Sequence, residues 1–256
     1  MRFLIISAFV ATTFLSATAD AQQWGDLKVK FVFKGAAPDP DKVAVTVDKE
    51  FCGKHDLVDE SLVVGKDGGI QNVVVYAYDG RGGVKLPAIH PDLEGKPNTH
   101  ELANKDCRFE PHIVICKAGD TLNVTNPDPV GHNCNLAFLV NAAQNFTIPP
   151  LKSKEVKLDN AEPAPIPVAC NIHPWMQAKV VVLEHPYAAK SDESGTLVIK
   201  NLPTGKLAFR LYHEAAGRLS GLEVAGSEVN RRNVFEVEIK PGENDLGTVE
   251  LDAKLF

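Results

Sequence analysis

The segment from Val168 to Met176 holds three side chains that can bind a metal ion. Cys170 offers a thiol, His173 an imidazole and Met176 a thioether. Copper that cycles between two oxidation states is held by soft sulfur donors together with imidazole, and a site of two His, one Cys and a weak axial Met is a known solution. The spacing therefore indicates three ligands of a mononuclear copper site on one short loop.

A fourth ligand must come from a distant part of the chain, because adjacent loop residues cannot close around an ion. His132 is the candidate, since it follows a predicted strand and the turn at residues 126–128. Two adjacent strand ends of a β-sandwich can present a pocket at one pole. The predicted metal ligands are thus His132, Cys170, His173 and Met176.

Zinc is an alternative to copper, because zinc sites also produce a Cys-x-x-His pattern. A structural zinc site takes four strong ligands in a closed tetrahedron, for which a thioether is a poor choice. The chain has two Met residues, one of which is Met1. This scarcity favours a ligand role for Met176 over core packing. A purely structural or degenerate site is the other alternative.

The two segments resemble those of a known family. Residues 170–176 are similar to the C-x-x-H-P-aromatic-Met loop of amicyanin, and residues 119–133 resemble the first ligand segment of plastocyanins, pseudoazurins and amicyanins. The chain is thereby identified as a member of the cupredoxins, the blue copper family. The resemblance implies one type 1 copper ion, with His132, Cys170 and His173 equatorial and Met176 axial.

The longer arrangement resembles bacterial methylamine-utilisation-like cupredoxins. The matching features are residues 109–112, the Cys-x-x-His-Pro-Trp-Met loop, and a C-terminal part similar to a carboxypeptidase regulatory domain at residues 195–205 and 212–214. This resemblance implies outer-sphere electron transfer with a redox partner protein, without enzymatic activity. Copper capture or delivery without a redox cycle, and a copper enzyme with an open coordination position, are the alternatives.

Several residues are predicted to surround the ligands. Trp175 and Pro174 would pack over the site and limit the access of water, while His173 would be partly exposed and conduct the electron. The backbone amides of Asn133 and Ile172 are candidate donors to the Cys170 sulfur. The Asn133 side chain would tie the two ligand segments together. His112 would lie near the metal or serve as a structural imidazole.

The chain has five cysteines, so at least one sulfur is unpaired. With Cys170 as the metal-bound thiolate, the first predicted disulfide is Cys52 with Cys107, and the second is Cys116 with Cys134. Sequence alone does not determine the connectivity, and one disulfide with two buried thiols is the alternative.

The elements that must position these residues are predicted to be strands. Residues 27–31 and 235–239 alternate between apolar and polar side chains with period two, and turn signals separate many such short runs. This pattern is typical of an all-β protein. We predict a cupredoxin-like Greek-key β-sandwich over residues 22–185, followed by a smaller β-sandwich over residues 186–256.

Composition and the N-terminus indicate the compartment. Residues 1–21 have a basic start, an apolar stretch and a small-x-small cleavage pattern, so we predict a signal peptide and a periplasmic or secreted bacterial protein. No second long apolar run follows, which predicts no membrane span in the mature chain. A net charge of −6 argues against nucleic-acid binding.

Overall fold

The computed structural model describes residues 22–95, 97–216 and 219–256. The predicted signal peptide lies outside these residues. The described chain is almost entirely β-strand, which confirms the all-β prediction. Its helical elements are short: α1 spans Lys49–Cys52, and 3-10 turns span Pro91–Leu93 and Ala253–Leu255. Within the described ranges, no helix has the length and apolar character needed to cross a membrane.

The strands are numbered in chain order. They are β1 (Trp24–Lys34), β2 (Val74–Ala77), β3 (Thr99–Lys105), β4 (Arg108–Glu110), β5 (Ile113–Lys117), β6 (Thr121–Asn126), β7 (His132–Leu136), β8 (Gln144–Ile148), β9 (Lys152–Lys157), β10 (Ile166–Ala169), β11 (Gln177–Leu183), β12 (Ala188–Lys190), β13 (Thr196–Pro203), β14 (Gly205–Tyr212), β15 (Glu223–Val224), β16 (Ser227–Glu228), β17 (Val234–Ile239) and β18 (Gly242–Asp252).

The first sandwich carries the predicted ligands. One sheet has the order β5-β11-β10-β7-β8, and the other has the order β4-β3-β6-β9. Alternate side chains of both sheets are buried against each other, with Leu102 and Leu122 on one side of the core and Leu136 and Val180 on the other. Burial of apolar area at about 25 cal/mol per Å² makes this shared core the main source of stability for the sandwich.

The second sandwich combines strands from both ends of the chain. Its sheets have the orders β13-β1-β18 and β12-β2-β14-β17. β1 runs parallel to β18, with Gly25 opposite Gly242 and Lys34 opposite Asp252. Phe31 of β1 and Phe209 of β14 lie in the core between these sheets.

Strand pairing therefore crosses the division predicted at residue 186. Residues 24–34 and 74–77 precede the ligand-bearing strands in sequence but share sheets with the C-terminal part of the chain. Period-two alternation predicts a half-buried strand but does not name its partner, which explains the difference. The two sandwiches pack on each other through an apolar cluster that includes Val74 and Val181.

Candidate metal centre

Three of the predicted ligands meet at one end of the first sandwich. His132 begins β7 and Cys170 follows β10, the strand that pairs with β7. The Nδ1 atoms of His132 and His173 are 3.0 Å apart, and Cys170 Sγ is 3.7 Å from His173 Nδ1. One donor atom from each residue lies within 4.8 Å of the other two. Both imidazoles have no exposed surface, and Cys170 is 1% exposed.

The loop after β10 is closed by its own backbone. The Met176 N–H donates to the His173 carbonyl at 2.9 Å, and the Cys170 N–H donates to the Met176 carbonyl at 3.2 Å. Met176 is 1% exposed and belongs to the same apolar cluster as Cys170. The loop thus holds Met176 next to Cys170 and joins its backbone to that of His173.

The Cys170 sulfur is surrounded by hydrogen-bond donors. The backbone N–H of Asn133 lies 3.3 Å from Sγ, and that of His173 lies 3.4 Å away. The second donor is therefore one residue beyond the predicted Ile172. Burial opposes ionisation, but hydrogen bonds from His132, His173 and Asn133 lower the pKa of the Cys170 thiol to about 6. The site thus favours the thiolate, which is the form that binds metal.

The Nε2 atom of each imidazole lies within hydrogen-bond distance of a carboxylate. His132 Nε2 is 2.8 Å from Asp128 Oδ2, and His173 Nε2 is 2.9 Å from Asp48 Oδ2. The Asp128 carboxylate also accepts hydrogen bonds from the backbone N–H groups of Asp106 and Cys107, at 2.8 and 2.9 Å. Although burial acts against both shifts, the pairing raises the pKa of His132 and lowers that of Asp128. A carboxylate on the outer nitrogen fixes the orientation of an imidazole whose inner nitrogen faces a metal.

The predicted exposure of His173 is wrong. Its side chain is fully buried, and residues 42–58, here named the covering segment, contact it through Asp48. Exposed apolar side chains stand next to both partners in sequence: Val47 precedes Asp48 and is 39% exposed, and Ile172 precedes His173 and is 36% exposed. The surface above the centre therefore consists of the covering segment together with the loop.

The structure also places the other residues predicted around the site. The Asn133 side chain accepts a hydrogen bond from the Asn171 N–H at 3.0 Å, so it joins the two ligand segments. The half-buried Trp175 donates its ring N–H to the Cys107 carbonyl at 3.0 Å and packs against the His173 ring. Pro174 is exposed on the surface of the loop.

His112 lies beside the centre rather than among the donors. It pairs with Glu214 at 2.5 Å, and its Nδ1 is 3.8 Å from Glu60. His112 and Met176 both line a cavity of about 160 Å³ between the first sandwich and the covering segment. The pairing with Glu214 gives His112 a structural role between the two sandwiches.

The cysteines follow the predicted pairing in part. Cys52 and Cys107 form a disulfide with a Cα–Cα distance of 5.4 Å. The second predicted pair is wrong, since Cys116 and Cys134 are buried free thiols. Their strands, β5 and β7, are separated by β11 and β10. Three strand spacings amount to about 14 Å, whereas a disulfide needs Cα atoms within about 7 Å.

The donor set fits copper on chemical grounds. A thiol that ionises readily, two buried imidazoles with their Nδ1 atoms turned inward, and an adjacent thioether residue make a soft sulfur and nitrogen environment. The two outer nitrogens are already occupied by Asp128 and Asp48, which leaves the inner nitrogens and the sulfur for an ion.

No protein-family model matches the chain, and a search of curated proteins finds no match. Among solved structures, the chain is similar to a variant of amicyanin in its oxidised state, with 21% identity over 38% of this chain and 96% of that chain and a TM-score of 0.30. It is also similar to a purple cupredoxin from Nitrosopumilus maritimus, with 19% identity over 32% of this chain and 97% of that chain and a TM-score of 0.28. A Cu-containing nitrite reductase from Thermus scotoductus SA-01 shows 19% identity over 39% of this chain and 25% of that chain, with a TM-score of 0.28. Each of these alignments leaves more than half of this chain unmatched.

Three residues of the site have roles that the sequence did not indicate. Asp48 follows residues 43–47, whose period-two alternation predicts a strand that the structure does not form, and it lies 125 positions before His173. Asp128 belongs to the recognised turn before His132, but nothing in the turn assigns its carboxylate to an imidazole. Cys107 was predicted only as half of a disulfide, whereas its N–H and carbonyl also contact Asp128 and Trp175.

Proposed function

We propose that this chain is an exported mononuclear copper protein that transfers electrons to and from a partner protein. The observation that carries the proposal is the convergence of Cys170 Sγ with the Nδ1 atoms of His132 and His173 in a fully buried pocket. Met176 would be the axial ligand. Copper bound there would supply one-electron redox chemistry.

The protein's own residues support a site that changes little between oxidation states. Two backbone N–H groups hold the sulfur, two carboxylates hold the imidazoles, and Asn133 joins the strands that carry them. Since these contacts hold the candidate ligands from several sides, little rearrangement would accompany the gain or loss of an electron. The Cys52–Cys107 disulfide supports a location outside the cytoplasm, where disulfides persist.

The proposed partner surface is the apolar border of the covering segment and loop. Val47 and Ile172 are exposed, and each directly precedes one partner of the Asp48–His173 hydrogen bond in sequence. Exposed apolar side chains beside a buried centre suit transient docking of a redox partner.

One observation favours a second function, copper capture or delivery without a redox cycle. His173 has no exposed edge, so an electron must pass through the protein around it rather than from the ring to a docked partner. A site that shields its ion from solvent also suits storage. A reversible reduction potential distinguishes the two roles, because a storage site needs none.

The test is the absorption and spin-resonance spectrum of the copper-loaded protein. We expect an intense thiolate-to-copper band with narrow copper hyperfine splitting, and the loss of this band in Cys170→Ser. Cys134→Ser is the matched control, because Cys134 is an equally buried free thiol in the same core whose pKa burial raises to about 12. Copper binding that leaves the spectrum of Cys170→Ser unchanged contradicts the proposed site.

A further inference from the structure

The covering segment reaches the metal centre through one side chain. Asp48 Oδ2 lies 2.9 Å from His173 Nε2, although 125 positions separate the two residues in sequence. The Asp48 side chain is 37% exposed and that of His173 is fully buried. The carboxylate therefore stands between the imidazole and solvent.

The Asp48 carboxylate makes no capping hydrogen bond to α1, the helix that follows it. Asp48 is the residue before α1, where an aspartate side chain commonly accepts a hydrogen bond from the first helical turn. Here the side chain makes no such capping bond, and the backbone is left-handed with φ 48° and ψ 41°. This conformation costs roughly 1–2 kcal/mol for most L-residues and is tolerated best by Asp and Asn. The Asp48 carboxylate therefore contacts His173 instead of capping the N-terminus of α1.

Cys107 anchors this arrangement from the other side. Its sulfur is bonded to Cys52 at the end of α1, and its carbonyl accepts the Trp175 ring N–H. Its N–H donates to Asp128, the partner of His132. One residue therefore holds both the carboxylate of His132 and the segment that supplies the carboxylate of His173.

We infer that Asp48 is a positioning residue of the metal centre, which fixes the His173 imidazole with Nδ1 inward and closes the site, and that the Cys52–Cys107 disulfide anchors it there. The inference rests on the proposed copper function. A carboxylate that accepts the outer N–H of a ligating imidazole raises the basicity of the ligand. The added negative charge stabilises the more highly charged ion, so the pair favours the oxidised state of the centre.

The first test is the reduction potential of the copper-loaded variants Asp48→Asn and Asp48→Ala. We expect the ratio of copper(II) to copper(I) binding constants to fall about tenfold, which raises the potential by about 59 mV for a one-electron couple. The matched control is Asp56→Asn, because Asp56 lies on the same segment, is 84% exposed and pairs, among the described residues, with Lys42 alone at the surface. Its potential should equal that of the unmodified protein.

The second test is the rate at which the loaded protein loses copper to a strong chelator. Asp48→Ala should release copper at least about tenfold faster, in line with the effect of removing a partner of a metal ligand. A Cys52→Ser/Cys107→Ser variant keeps Asp48 but frees its segment, and it should also release copper faster. Asp56→Asn should release it at the original rate.

The outcomes separate this inference from the function on which it rests. If the unmodified protein does not bind copper, the proposed function is wrong. If that protein binds copper but Asp48→Asn matches Asp56→Asn in potential, Asp48 is not a positioning residue and the inference is overturned. If the disulfide variant releases copper at the original rate, the anchoring role of the disulfide is overturned. Circular dichroism of Asp48→Asn, the mildest change, shows that the fold is retained.

Discussion

The Asn133 side chain accepts a hydrogen bond from the Asn171 backbone N–H at 3.0 Å, and this bond joins the two segments that carry the candidate ligands. The same side chain donates to Asn145 Oδ1 and to the Phe146 carbonyl, at 2.7 and 3.1 Å. Asn133 thus connects the loop after β10 to β8 as well as to its own strand.

Replacing Asn133 by Ala removes these side-chain hydrogen bonds. At about 1 kcal/mol for each bond, we expect the free energy of unfolding to fall by roughly 2–3 kcal/mol. Asn145→Ala is the matched control, because it removes only the outer contact and should cost about 1 kcal/mol. Urea denaturation of the metal-free proteins measures both values. Equal losses in the two variants would show that the bond to Asn171 adds nothing.

Met176→Leu tests the proposed axial ligand. The two side chains have similar volumes, so the change in packing should cost less than about 1.5 kcal/mol. Loss of the thioether removes a donor that stabilises oxidised copper, and we expect a higher reduction potential with copper still bound. A redox titration of the loaded variant measures the change. Complete loss of copper from this variant contradicts the axial assignment.

The Cys52–Cys107 disulfide should contribute to stability as well as to the site. It closes a loop between residues 55 positions apart, for which the chain-entropy relation gives about 4 kcal/mol. We expect Cys52→Ser/Cys107→Ser to lower the free energy of unfolding by this amount, whereas Cys116→Ser alters only a free thiol. Urea denaturation of both variants measures the free energy of unfolding. A loss below about 1 kcal/mol in the double variant would contradict a stabilising role of the disulfide.

The His112–Glu214 pair should make stability depend on pH. Burial opposes the charged imidazole, but the hydrogen bond to Glu214 and the nearby Glu60 carboxylate raise the pKa of His112 to about 9. The pairing with His112 and Lys179 lowers the pKa of Glu214 to about 2, despite burial. A raised His pKa gives stability that is complete below the unfolded value of about 6.5 and is lost as pH rises towards 9. The Glu214 contribution is instead lost in acid, below about pH 4.5.

Comparison with His112→Gln isolates this contribution from those of the other titrating groups of the protein. We expect the difference in unfolding free energy between the two proteins to shrink by about 2 kcal/mol from pH 6.5 to 8.5. Denaturation curves at several pH values provide the measurement. A constant difference across this range means that His112 is not stabilised as the cation.

The sequence alone predicts features that depend on residues close together in the chain, such as strands and the ligands of one loop. The spacing of Cys170, His173 and Met176 places them on one loop whatever the rest of the chain does. Period-two alternation, as in residues 27–31, predicts strands because successive side chains of a strand point to opposite faces. The all-β class was therefore correct from sequence, while copper binding by this loop stays a prediction.

Tertiary structure decided what no local pattern encodes. The pairing of β1 with β18 and the contact of Asp48 with His173 join residues more than 100 positions apart. Cys116 and Cys134 stay unpaired because two strands lie between theirs. Residue type and spacing determined which atoms can bind a metal, but burial of His173 and the carboxylate on its outer nitrogen depend on which distant segment packs over the loop, and only the folded chain settles that.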